Sequence, residues 1–130
     1  MIFGATDAND PRHRECTEIL DSLTSTRLGV TVPVIVESSW LIECRLGQTA
    51  QATFLRSLTD GEIERFEMVD ADWTSVVELI EGYADLGLGV VDASVVAIAE
   101  RLGVTQIATL DRRHFSVVRP AHLPGFELLP

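Results

Sequence analysis

Three acidic residues carry the chemistry this sequence offers. The stretch Leu88–Phe115 reads LGVVDASVVAIAERLGVTQIATLDRRHF. It places Asp92 at the start of an amphipathic helix and Asp111 just past the end of the apolar strand that follows. Upstream, Glu37 stands in an apolar run, Val32–Ile42, which is otherwise broken only by Pro33, Ser38 and Ser39. A carboxylate among inward-facing side chains is costly unless it is paired or bound to a cation. Glu37, Asp92 and Asp111 together would form an acidic cluster. Such oxygen donors hold Mg²⁺ or Mn²⁺, and those ions serve phosphodiester cleavage.

Each carboxylate also has a plainer reading. Aspartate is a favoured N-cap, and GVVDASVVAIAERLG has the pattern of a capped amphipathic helix, so Asp92 is expected to cap a helix over Asp92–Leu102. One oxygen can cap while the other meets a metal. Asp111 suits a turn at a strand end, and Glu37 could lie on a solvent face. Thr109 is placed to hydrogen-bond the Asp111 carboxylate or a water on the metal. Arg112 and Arg113 read either as phosphate contacts or as a solvated pair. His114 reads as a phosphate contact, a neighbour of a metal site or an exposed residue.

The elements that must position these groups follow from hydrophobic spacing. A helix opened by Asp10-Pro11 runs to about Thr24, with Cys16, Ile19, Leu20 and Leu23 inward. A brief strand over Val30–Pro33 precedes a helix over Val34–Leu46 closed by Gly47. Thr49–Leu58 is a helix with Ala52, Leu55 and Leu58 inward, and Phe66–Val69 is a strand. Asp70–Asp85 is a helix with the stripe Trp73, Val76, Val77, Ile80 and Tyr83; Trp40 and Trp73 are assigned to core or interface. After Asp92–Leu102, Gly103 ends the helix, Val104–Thr109 is a strand, Arg112–Val118 is a loop or short helix, and Phe126–Leu129 is the last strand. Helices alternating with short apolar strands predict an α/β fold with a parallel sheet, whose ligands sit beyond the carboxyl ends of the strands.

At 130 residues the chain is expected to be a single domain spanning 1–130. The net charge of −10 argues against a generic nucleic-acid coat but not against a metal-dependent nuclease, whose carboxylates add to that charge. Cys16 and Cys44 form no CxxC and are expected to be reduced, buried, cytosolic thiols. No secretory signal or membrane-length apolar run is present, so a cytoplasmic protein without membrane contact is expected. GxxxxGK[ST] and GxGxxG are absent, which counts against a nucleotide or phosphate binder of another α/β class, and no GxSxG or Cys/His nucleophile arrangement appears.

The order of VxxE in a helix, then YADLGLGVVDASVVAIAERLGV, then IATLDRRHF and a final FELLP resembles the PIN-domain ribonucleases of VapC type, the toxins of toxin–antitoxin pairs. The DPRHREC opening of the first helix is similar to theirs as well. The resemblance implies a three-layer α/β/α sandwich with a short parallel sheet. It maps the family's acidic ligands for Mg²⁺ or Mn²⁺ onto Glu37, Asp92 and Asp111. It also implies cleavage of RNA by metal-activated water, a homodimer, and a VapB-type antitoxin whose tail enters the acidic groove. Many relatives carry a further acidic residue where this chain has Arg112-Arg113-His114. The family opens with a central strand bearing another aspartate. Here that strand is expected to be truncated, with only Met1-Ile2-Phe3 as a stub and the true start upstream. A catalytically impaired PIN-like module that binds an antitoxin or dimerises is the alternative expectation.

Overall fold

In the computed structural model, which describes residues 1–23, 28–61 and 63–129, the chain forms two compact units, Met1–Phe66 and Glu67–Pro130. The first contains α1 (Ile2–Thr6), α2 (His13–Ser22), β1 (Gly29–Thr31), α3 (Val32–Leu46), α4 (Gln48–Thr59) and β2 (Glu64–Phe66). The second contains α5 (Asp70–Gly82), a 3₁₀ turn at Ala84–Leu86, α6 (Val90–Leu102), β3 (Gln106–Ala108), α7 (Arg112–Phe115) and β4 (Glu127–Leu129).

Both units bear out the α/β reading with parallel strands. β1 pairs with β2 in parallel, Thr31 opposite Phe66, and β3 pairs with β4 in parallel, Ile107 opposite Leu128. The strands are shorter than expected: β2 ends where the predicted strand was to begin, at Phe66. Gly29 permits the β1–β2 approach, because a Cβ there would lie 1.9 Å from the Phe66 ring.

Local signals explain most boundaries and correct several. Pro33 lies inside the first turn of α3 rather than ending a strand, a position where its missing N–H has no intrahelical partner to lose. Gly47, at φ 85°, joins α3 to α4. The Asp10 carboxylate accepts from Arg12 N and forms a turn, which delays α2 to His13. The predicted end of that helix, Thr24, lies outside the described residues. Residues 2–6 are a short helix rather than the stub of a strand, with Ile2 and Phe3 packed against the first core.

That core consists of Val30, Ile35, Ile42, Phe54 and Leu58. On α4 the inward residues are Phe54 and Leu58, while Ala52 and Leu55 are exposed. The second core gathers Val76 of α5, Ala93, Val96 and Ala97 of α6, Ile107 of β3, and Leu88, Phe115 and Val118. α6 is buried around most of its circumference, as a helix with few polar positions must be. Its end is closed by Gly103 at φ 68°, and Val104 N reaches back to Ala99 O at 2.9 Å.

α5 is tied to α6 by one buried carboxylate. Asp72, 2% exposed, accepts from Val69 N at 2.9 Å and from Arg101 Nε at 2.9 Å. Trp73 and Val77, expected inward, are instead 51% and 54% exposed, and Trp40 is 60% exposed, which excludes both tryptophans from the core. Cys16 is buried, but Cys44 is exposed on α3; both are free thiols. Among the described residues no helix is long and apolar enough to cross a membrane.

Candidate functional site

Asp92 is the third residue of α6, not its cap; Gly89 holds the N-cap position. With no capping duty, the Asp92 carboxylate turns to His114, whose Nδ1 lies 2.5 Å from Asp92 Oδ2. A carboxylate in the first turn also gains from the helix dipole. The Asp92 side chain is 32% exposed and that of His114 8%. His114 is therefore neither an exposed residue nor a free phosphate contact.

Asp111 follows β3 and is the N-cap of α7; its Oδ1 accepts from Arg113 N at 3.0 Å. Thr109 holds the same loop through the Asp111 backbone, not its carboxylate. Its hydroxyl accepts from Asp111 N at 3.2 Å and donates to Asp111 O at 3.1 Å. Arg112 is exposed and donates through NH2 to Leu128 O, fastening α7 to β4. Arg113 donates through NH2 to His114 Nε2 at 3.1 Å.

Asp92 and Asp111 are thus linked by one short helix. Asp111 caps α7, and His114 of that helix grips Asp92. Asp92 Oδ1 and Asp111 Oδ2 accept no hydrogen bond from a described residue. Two carboxylates, each with one oxygen committed to the protein and one open, suit Mg²⁺, which typically takes one or two carboxylates and keeps several waters. Among the described residues no three His, Cys, Asp or Glu side chains are grouped to hold an ion. Glu37 belongs to the other unit, on α3, and is exposed rather than inward-facing. Its apolar neighbours misled the burial argument because Val36 and Trp40, on either side of it, are exposed too, at 63% and 60%.

Sequence reasoning missed the Asp92–His114 pairing. The available signal was the spacing of His114 three residues after Asp111, next to an apolar Phe115 that must enter the core. Elsewhere in this unit a cleft of about 210 Å³ is lined by Ser75, Glu78, Leu79, Tyr83, Glu100 and Ala121. None of the expected site residues lines it, and Glu100 already accepts from Ala121 N.

Comparison with known proteins shows the family of the chain. The family model described as the PIN domain matches residues 2–119. The chain is 34% identical over 124 residues to Ribonuclease VapC26 of Mycobacterium tuberculosis (strain H37Rv), covering 95% of this chain and 91% of that protein. Its fold matches the crystal structure of Mycobacterium tuberculosis VapC20, described as a Sarcin-Ricin loop cleaving toxin. That match has a TM-score of 0.83 and 16% identity over 94% of this chain and 92% of that one. With an aspartate in the first turn of a buried helix, a second three residues past a parallel strand, and these matches along nearly its whole length, the chain belongs to the PIN-domain family, among its VapC-type ribonucleases.

Proposed function

We propose that residues 1–130 act as one PIN-like domain, a divalent-metal-dependent endoribonuclease that serves as the toxin of a type II toxin–antitoxin pair. The observation that carries this reading is the Asp92–His114–α7–Asp111 linkage in a chain 34% identical to a ribonuclease. Asp92 and Asp111, with Glu37 as the third ligand, would hold Mg²⁺ or Mn²⁺. When bound, the ion neutralises phosphate charge and activates water for attack on the phosphodiester.

The protein's own groups do the rest. His114 and the Arg113 backbone amide orient the two aspartates by taking one oxygen of each. Thr109 fixes the backbone at Asp111. Thr109, Arg112 and Arg113 are the proposed RNA-contacting residues; both guanidinium-bearing residues are exposed and Arg suits phosphate. The partners of this reading are RNA, a VapB-type antitoxin and a second copy of the chain, in the cytoplasm without membrane contact. A net charge of −10 favours an antitoxin segment that brings arginine to the acidic groove.

Incubating the 130-residue chain with structured RNA in Mg²⁺ or Mn²⁺ tests this function. Internal cleavage that stops with EDTA and returns with excess Mn²⁺ is expected. Cleavage indifferent to EDTA would rule out the metal-dependent mechanism.

A further inference from the structure

The polar groups around Asp92 form a directional chain whose hydrogens can be assigned. Arg113 NH2 is only a donor, so the His114 Nε2 it meets at 3.1 Å must be the acceptor. The ring hydrogen therefore sits on Nδ1, which donates to Asp92 Oδ2 at 2.5 Å. The same Arg113 gives its backbone N–H to Asp111 Oδ1 at 3.0 Å. Two consecutive residues of α7 thus take one oxygen from each aspartate and leave the other oxygen open.

We infer that His114 is a positioning residue for Asp92, held in its Nδ1–H tautomer by the Arg113 guanidinium. This rests on the reading of Asp92 as a metal ligand. The imidazole is nearly buried and its hydrogen-bonding nitrogens have partners on both sides, so the ring cannot turn without losing one of them. A carboxylate gripped at Oδ2 presents Oδ1 in one orientation, and the cation meets a prepared oxygen rather than a rotating one. Hydrogen bonds of this outer kind typically change metal affinity about 10–100-fold.

The substitutions that test this differ in where they place a donor. An asparagine amide at position 114 stands near the place of Nδ1 and can still donate to Asp92. A glutamine amide reaches toward the place of Nε2 and cannot. Mn²⁺ affinity of the full chain, measured by electron paramagnetic resonance titration without RNA, should weaken about tenfold in His114→Gln. His114→Asn should stay within about threefold of wild type, the loss being confined to the replaced ring.

A proton–nitrogen correlation spectrum of the histidine-labelled wild type, with His114 assigned by its loss in His114→Asn, should show hydrogen on Nδ1 and an unprotonated Nε2. This spectrum decides the matter even if His114→Gln does not fold. Unchanged Mn²⁺ affinity in His114→Gln, or a hydrogen on Nε2 alone, overturns the inference. Asp92→Asn separates the two levels. If it weakens Mn²⁺ binding while His114→Gln does not, only the positioning role fails. If Asp92→Asn binds Mn²⁺ like the wild type, the ligand assignment itself fails.

Discussion

Asp111→Asn is expected to lower RNA cleavage at saturating Mg²⁺ or Mn²⁺ by at least about 100-fold, equivalent to about 3 kcal/mol of barrier. The substitution isolates charge from structure. Asparagine keeps an oxygen that can accept from Arg113 N, so the cap of α7 survives. What disappears is the negative charge and the open anionic oxygen. The same logic applies to Asp92→Asn, whose carbonyl still accepts from His114 Nδ1. Both variants should melt close to the wild type while losing cleavage, and Glu37→Gln, on exposed α3 surface, should follow them in direction. Cleavage by Asp111→Asn within threefold of wild type would remove Asp111 from the catalytic set.

Asp72→Asn is expected to destabilise the protein by about 2 kcal/mol near neutral pH. Asp72 receives hydrogen bonds from Val69 N and, on both oxygens, from Arg101 Nε. Asparagine offers one accepting oxygen and turns an NH₂ toward the remaining donor, so a buried conflict replaces a satisfied pair. Arg101 is 32% exposed and can turn partly to water, which keeps the cost below that of breaking a fully enclosed pair.

The pH dependence has a definite sign. Burial pushes the Asp72 carboxyl up, but the hydrogen bonds from Arg101 and Val69 and the Arg101 charge outweigh it. The result lies below the ordinary value of 3.8. A group depressed in the folded state contributes stability above its unfolded pKa and loses it as pH falls through the folded one. The gap in denaturant midpoint between wild type and Asp72→Asn should therefore be full at pH 5–7 and shrink below about pH 4. A gap that widens on acidification would contradict this account of Asp72.

The fold was legible where pattern and punctuation agreed. α6 announced itself through an apolar run ending at Gly103, and the φ of 68° there is what a left-handed helix end requires. The parallel pairs were implied by strands alternating with helices. Legibility failed where solvent exposure of an apolar face mattered. Trp73 and Val77 fit a helical stripe and Trp40 was assigned to core or interface, yet all three are more than half exposed, because spacing shows which residues share a face and not what covers it.

For Asp92 and Asp111 the sequence showed the positions in the chain but not the side chains that hold them, and for Glu37 it did not show the exposure. Asp92 and Asp111 stood out by their place at a helix start and a strand end. The expected cap went instead to Gly89, since α6 begins at Val90, two residues before the aspartate. The role of His114 depends on a contact with a residue 22 positions away, which no local pattern encodes. Thr109 was read as a partner of the Asp111 carboxylate or of a metal-bound water, and Arg113 as a phosphate contact or a solvated residue, whereas Thr109 bonds the Asp111 backbone and Arg113 bonds Asp111 and His114.

The most direct test of the metal assignment is the anomalous scattering of Mn²⁺ bound to crystals of this chain. A peak about 2.0–2.3 Å from a carboxylate oxygen of Asp92 or Asp111, at the oxygen that His114 and Arg113 leave open, is expected. A peak bound by neither aspartate, in crystals of a chain that cleaves RNA in Mn²⁺, would contradict it.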